Sequence, residues 1–194
     1  MKELFAAFNT DFFRALATLI IPGAIAVSTW TVQLVLTFKP LRNLVEQNHA
    51  ETAFVVLVAV VFIGLVIEDV GARIEVLLDT RADKRTQGRH TKEWYEFLKT
   101  AFVCEPIGRR YIRTLVTRLK FELGTAIGIV IADGGLLALW FSGFSSCRLT
   151  VILLLLSLIV AAYLAFLEAP ASHKLLATAR TKMLEEIRIV KAPN

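Results

Sequence analysis

Between Arg14 and Lys39 this chain carries no charged side chain from Ala15 to Phe38. Between Glu51 and Glu68 lie sixteen more uncharged residues, including FVVLVAVVFIGLVI. Between Lys120 and Arg148 the only charges are Glu122 and Asp133, and between Arg148 and Glu168 runs LTVILLLLSLIVAAYLAFL. A helix needs ~20 mostly apolar residues to cross ~30 Å of hydrocarbon. Four such windows predict an all-α polytopic membrane protein with spans at about 15–37, 52–70, 121–141 and 149–168. Membrane β-strands would alternate polar and apolar residues in windows of ~10, and these runs do not alternate. The composition agrees: 56% of the 194 residues are hydrophobic and 20% charged, against about 45–50% and ~25% in soluble chains. That excludes a water-soluble enzyme, a disordered tail and a disulfide-stapled secreted domain. Glu3 and Asp11 precede the first window, unlike the basic start of a signal peptide, so it reads as a retained helix.

Lys and Arg set the orientation. Positive residues stay on the cytoplasmic side of a bilayer. The N-terminal segment, the region from Glu68 to Glu122 and the C-terminal tail together hold nineteen Lys and Arg, and the two remaining loops hold three. Both termini and the middle region are therefore expected in the cytoplasm. Cys104 and Cys147 then fall on opposite sides and cannot pair within one chain. The +5 net charge follows from this orientation and from anionic lipid.

The chain divides into four parts. Residues 1–79 hold an interfacial N-terminal helix (Leu4, Phe5, Phe8, Phe12, Phe13) and spans one and two. Residues 80–120 form a basic helical segment, residues 121–168 hold spans three and four, and residues 169–194 form a C-terminal helix. Apolar Val70, Ile74, Leu77 and Leu78 continue the helical pattern beyond span two until the polar run TRADKRTQGRHT. Thr91 can cap the next helix, whose apolar stripe is Trp94, Phe97, Leu98, Ala101 and Phe102. Glu105-Pro106 ends it. From Ile107 the pattern enters span three without a breaker, and beyond span four it extends past Pro170, a kink or short break. The extensions of spans two, three and four should pack as a small cytosolic bundle.

Within lipid, helices associate by close packing of small residues. Gly124, Gly128 and Ala132 make one stripe at four-residue spacing, and Ser157, Ala161, Ala165 and Ala169 make another. Each serves packing within one subunit or a homo-oligomeric seam, and two such stripes favour a homo-oligomer. Asp133 lies ~18 Å into span three by helix rise. An ionisable group there is a functional candidate by default. Ser28, Thr29 and Ser157 reach a similar depth, which makes an intramembrane polar layer geometrically possible. Pro22-Gly23 predicts a kink in span one. Glu68, Asp69 and Arg73 mark the cytosolic mouth of span two, where Asp69 and Arg73 can pair four residues apart.

No catalytic or cofactor motif occurs, and His49, His90 and His173 stand far apart in sequence. Neither an enzyme, a cofactor nor a metal site is read from the chain. Arg109, Arg110, Arg113 and Arg118, with Trp94 nearby, suit contact with anionic lipid or with an acidic cytosolic protein. Direct nucleic-acid binding is disfavoured because no reading motif accompanies the charge. Three functions fit: a membrane sensor or recruiter, a small oligomeric channel or membrane-disrupting effector, and a transporter. The last is weakest, because spans one and two do not echo spans three and four. In span number, length and the basic segment from Arg81 to Lys120, the layout resembles small four-span membrane subunits of bacterial anti-phage systems, such as the membrane component of Kiwa. That resemblance implies sensing at the membrane together with a soluble DNA-binding partner.

Overall fold

The computed structural model describes Phe12, Arg14 and residues 16–99, 107–142 and 148–191. Among these there are helices and tight turns, and no strand. A π-helical turn (Leu16–Ile20) leads into α1 (Ile21–Thr37). A short α2 (Lys39–Gln47) and a long α3 (His49–Thr86) follow, then α4 (Arg89–Lys99), α5 (Ile107–Phe141) and α6 (Arg148–Lys191). Four helices are long and apolar enough to cross a membrane, which makes the chain a multi-pass membrane protein by length and composition.

The side chains facing away from the bundle suit lipid. Phe54, Val55 and Phe62 on α3 and Leu153, Val160 and Leu164 on α6 are all more than half exposed, forming an apolar surface far beyond what a soluble monomer presents. α3 has 38 residues and α6 has 44. At ~1.5 Å per residue they are ~57 and ~66 Å long, about twice the hydrocarbon thickness. The apolar stretches at about 52–70 and 149–168 therefore take up only part of each helix, and the remainder forms a polar head.

α5 is the central helix and packs against α1, α3 and α6. Where α1 crosses α3, a Cβ on Gly23 would overlap the carbonyl oxygen of Val60, and one on Gly64 that of Leu19. Gly124 and Gly128 face Pro22 of α1, and a Cβ on Gly128 would lie 2.7 Å from the Pro22 carbonyl oxygen. The first stripe thus serves packing inside one subunit. Ala132 completes it, 1% exposed, with its carbonyl accepting a bond from Thr29 Oγ1 at 2.8 Å. Pro22 sits in the first turn of α1, directly after the π-helical turn. Its missing N–H is tolerated at a helix start, so the expected kink takes the form of a change of helix type.

The second stripe does not stay on one face. Ser157 is exposed, Ala161 and Ala165 are half-buried, and Ala169 is buried. A four-residue step overshoots a 3.6-residue turn by about 40°. The inward face of α6 instead alternates steps of four and three through Leu155, Leu158, Ala162, Ala165, Ala169, Ser172 and Leu176, as in coiled-coil packing.

The head is the expected helical bundle. Its core joins Phe97 of α4, Ile112, Leu115, Leu119 and Leu123 of α5, and Ala169, Leu176 and Leu184 of α6. Two boundaries differ from the sequence reading. α3 continues through the polar run to Thr86, and the break narrows to Gln87 and Gly88, at φ 53° and 79°. α4 begins at Arg89, so Thr91 is not its cap. Thr91 binds Asp83 through both its amide and its hydroxyl, the amide at 2.9 Å. α6 runs unbroken through Pro170. The amphipathic start apart from Phe12, both cysteines, Glu105-Pro106, and the side chains of Arg109 and Arg110 lie outside the described residues.

Candidate functional site

Two of the polar groups expected at one depth in the membrane bond within their own helices. Ser28 Oγ donates to Ile25 O and Ser157 Oγ to Leu154 O, both at 2.8 Å within their own helices and both exposed. Hydroxyls in a helix satisfy themselves this way when no better acceptor is near. Thr29 does reach α5, and Trp30 Nε1 donates to Ile131 O at 2.9 Å. Asp133 stands beside these two carbonyls, yet its buried Oδ1 has no hydrogen-bond partner among the described residues.

At the mouth of span two, Arg73 pairs with Asp69 at 2.9 Å, as its spacing predicts. Glu68 turns to α5 and accepts from Lys120 Nζ at 3.1 Å. Arg118 is not a free cation for lipid or a partner. It binds Glu122 at 2.7 Å and Glu168 at 2.6 Å, and Glu122 also accepts from Ser172 Oγ at 3.0 Å. This network stitches α5 to α6 near the membrane boundary. Trp94 likewise faces inward, stacked on Phe97 with the Arg180 guanidinium 5.3 Å from its ring. Arg113 is not a free cation either.

The densest chemistry lies where α3, α4 and α6 meet. Asp79 projects from α3, His90 from the first turn of α4, and His173 and Arg180 from α6. Asp79 Oδ1 accepts from His90 Nε2 at 3.0 Å and from His173 Nε2 at 2.8 Å. The two imidazoles are 5.3 Å apart between centroids. Arg180 Nη2 donates to His90 Nδ1 at 2.9 Å and to His90 O at 3.2 Å. A guanidinium can only donate, so Nδ1 carries the lone pair and Nε2 the proton. His90 is therefore a neutral imidazole in this arrangement.

Burial raises the Asp79 carboxyl pKa, but hydrogen bonds from His173 and His90 outweigh it and hold the group below its ordinary value. Glu75 lies one turn earlier on α3. Burial, then the neighbouring Asp79 charge, pushes its carboxyl up. Arg180 is 3% exposed, its Nε lacks a partner among the described residues, and burial lowers its pKa. These residues line a half-open cavity of about 50 Å³, together with Thr91, Trp94, Leu176 and Ala177. The donor atoms of Asp79, His90 and His173 lie within 4.8 Å of one another, a two-histidine, one-carboxylate set.

Sequence reasoning missed this cluster. Asp79 is 11 residues from His90 and 94 from His173, so no ligand-spacing motif exists. The available signal was that Asp79 and His173 each stand within about three turns beyond the apolar stretch of their helix. Comparison with protein-family models, with curated proteins and with solved structures finds no match to this chain.

Proposed function

We propose that this chain is an integral subunit of a bacterial inner membrane, homo-oligomeric, with both termini and the polar head in the cytoplasm. There it senses the state of the bilayer and relays it to a cytosolic partner. The supporting observation is mechanical. α3 and α6 each pass without a break from an apolar segment into the head, where Asp79 and His173 join them at 2.8 Å. A change in span tilt, the ordinary response to hydrophobic mismatch, alters the separation of these two arms. α4 lies over the joint and presents the exposed Tyr95 outward, as a docking helix would. The resemblance to anti-phage membrane subunits suggests a soluble DNA-binding protein as that partner.

A spin-label distance measurement tests the relay. Labels on Arg81→Cys and Lys174→Cys, with Cys104 and Cys147 replaced by Ser, report the arms in liposomes of short-chain and long-chain lipid. The reading expects the distance distribution to shift with bilayer thickness. Identical distributions in both lipids would overturn it.

A second reading, a small oligomeric channel, draws on the unpartnered oxygen of Asp133. Because Ser28 and Ser157 bond within their own helices, it is the weaker of the two.

A further inference from the structure

We infer that Asp79, His90 and His173 form a binding site for a divalent transition-metal ion of the zinc class, one ligand from each of three helices. This assignment goes beyond the relay and stands whether or not the head relays anything.

Two imidazoles and one carboxylate are a recurrent protein ligand set for zinc, and also for iron and its neighbours, with positions left open. Here both Nε2 atoms converge on a single oxygen, at 3.0 and 2.8 Å. Bonds of about 2.0–2.1 Å to a tetrahedral ion place neighbouring donor atoms roughly 3.3–3.4 Å apart. The two nitrogen–oxygen separations need only a few tenths of an ångström of opening, and the two imidazole nitrogens, within 4.8 Å of each other, would close by up to about 1.4 Å through rotation of the side chains. An ion would take the place of the N–H protons that face Asp79 Oδ1, and His90 would then carry its proton on Nδ1 instead of Nε2. For His90 this conflicts with the Arg180 donor at Nδ1, so Arg180 would retain its other bond, to His90 O.

The surroundings fit a cation despite Arg180. Glu75 lines the same cavity as the three ligands and stands one helical turn from Asp79, placed to take a fourth position directly or through water. The Asp79 side chain is 47% exposed, which leaves a path for entry. The ligands also sit on a rigid frame. His90 is in the first turn of α4, one residue before Thr91, whose amide Asp83 holds, and His173 is packed among α6 core positions. An ion bound there would cross-link α3, α4 and α6 more firmly than the hydrogen bonds do.

The test uses the full chain, purified in mild detergent with a tag free of histidine, and Co²⁺ alone as probe. The expected result is one equivalent of Co²⁺ with the visible d–d bands of a four- or five-coordinate site, displaced by Zn²⁺. Asp79→Asn and His173→Gln should weaken binding by more than the roughly 10–100-fold that loss of an outer-shell partner costs, while His49→Gln should leave it unchanged. X-ray absorption of the zinc-loaded wild-type protein does not depend on any variant folding, and it should count two imidazoles in the first coordination shell. Absence of stoichiometric Co²⁺ binding, a shell with fewer than two imidazoles, or affinity indifferent to Asp79 and His173 would each overturn the assignment.

Discussion

Asp133 is the most costly side chain in the apolar part of the molecule. Thr29 and Trp30 of α1 donate to the carbonyls of Ala132 and Ile131 just before it, and its own buried oxygen has no partner among the described residues. An unsatisfied buried polar group costs about 1–3 kcal/mol. Asp133→Leu should therefore stabilise the detergent-solubilised protein by about that amount, read as a higher melting midpoint. If the chain conducts ions, liposomes holding the wild-type protein leak and those holding the variant do not. A lower midpoint for the leucine variant would mean that the carboxyl finds a partner in the assembled oligomer. Arg118 teaches the opposite lesson. Its positive charge was plain in the sequence, but Glu122 lies one turn away and Glu168 fifty positions on, and no local pattern announces the second acid. A run of cations therefore reads as available for lipid or a partner when one of its members is already neutralised.

At the scale of helices, the close approach of α1 to α5 depends on Gly128, where a methyl group would press on the Pro22 carbonyl. Backbone on both sides leaves no flexible atom to yield. Gly128→Ala should cost about 1–3 kcal/mol, the usual price of overpacking, whereas Ser157→Ala, on an exposed face, should change the melting midpoint little. Equal midpoints for both variants would show that α1 and α5 are not in contact in lipid. The spans were legible because uncharged runs of this length have a single physical solution in hydrocarbon, and the head bundle because apolar periodicity outlasted the spans. The extent of α3 was less so. Its last turns, ADKRT, are polar all round, and polar residues there are kept helical by what lies beside them: Asp83 grips Thr91 from across the turn. The three-helix cluster was illegible for the same reason in stronger form, since each residue sits on a different helix and only tertiary packing joins them.

For the molecule as a whole, the distribution of Lys and Arg predicts a head on the cytoplasmic side. Trypsin added to intact spheroplasts should leave the head uncut, the Lys and Arg residues on that side being limited to Lys39, Arg42 and Arg148 in the two outer loops. In inside-out vesicles it should cut at the corner between α3 and α4, where Lys84, Arg85 and Arg89 are exposed. Mass spectrometry of the fragments reads the outcome, and cleavage at that corner from outside would reverse the topology. That corner has a further consequence. Gln87 and Gly88 alone join two helices, both in left-handed backbone, and Gln87 holds a conformation that L-residues with a side chain adopt only at a cost. A joint this short has no slack, so the imidazole of His90 is brought to its carboxylate by chain geometry and not by search. Lengthening the corner by even a few flexible residues would unhook the fourth helix while sparing everything embedded in lipid, making this dipeptide the place where the two halves of the molecule can be mechanically uncoupled.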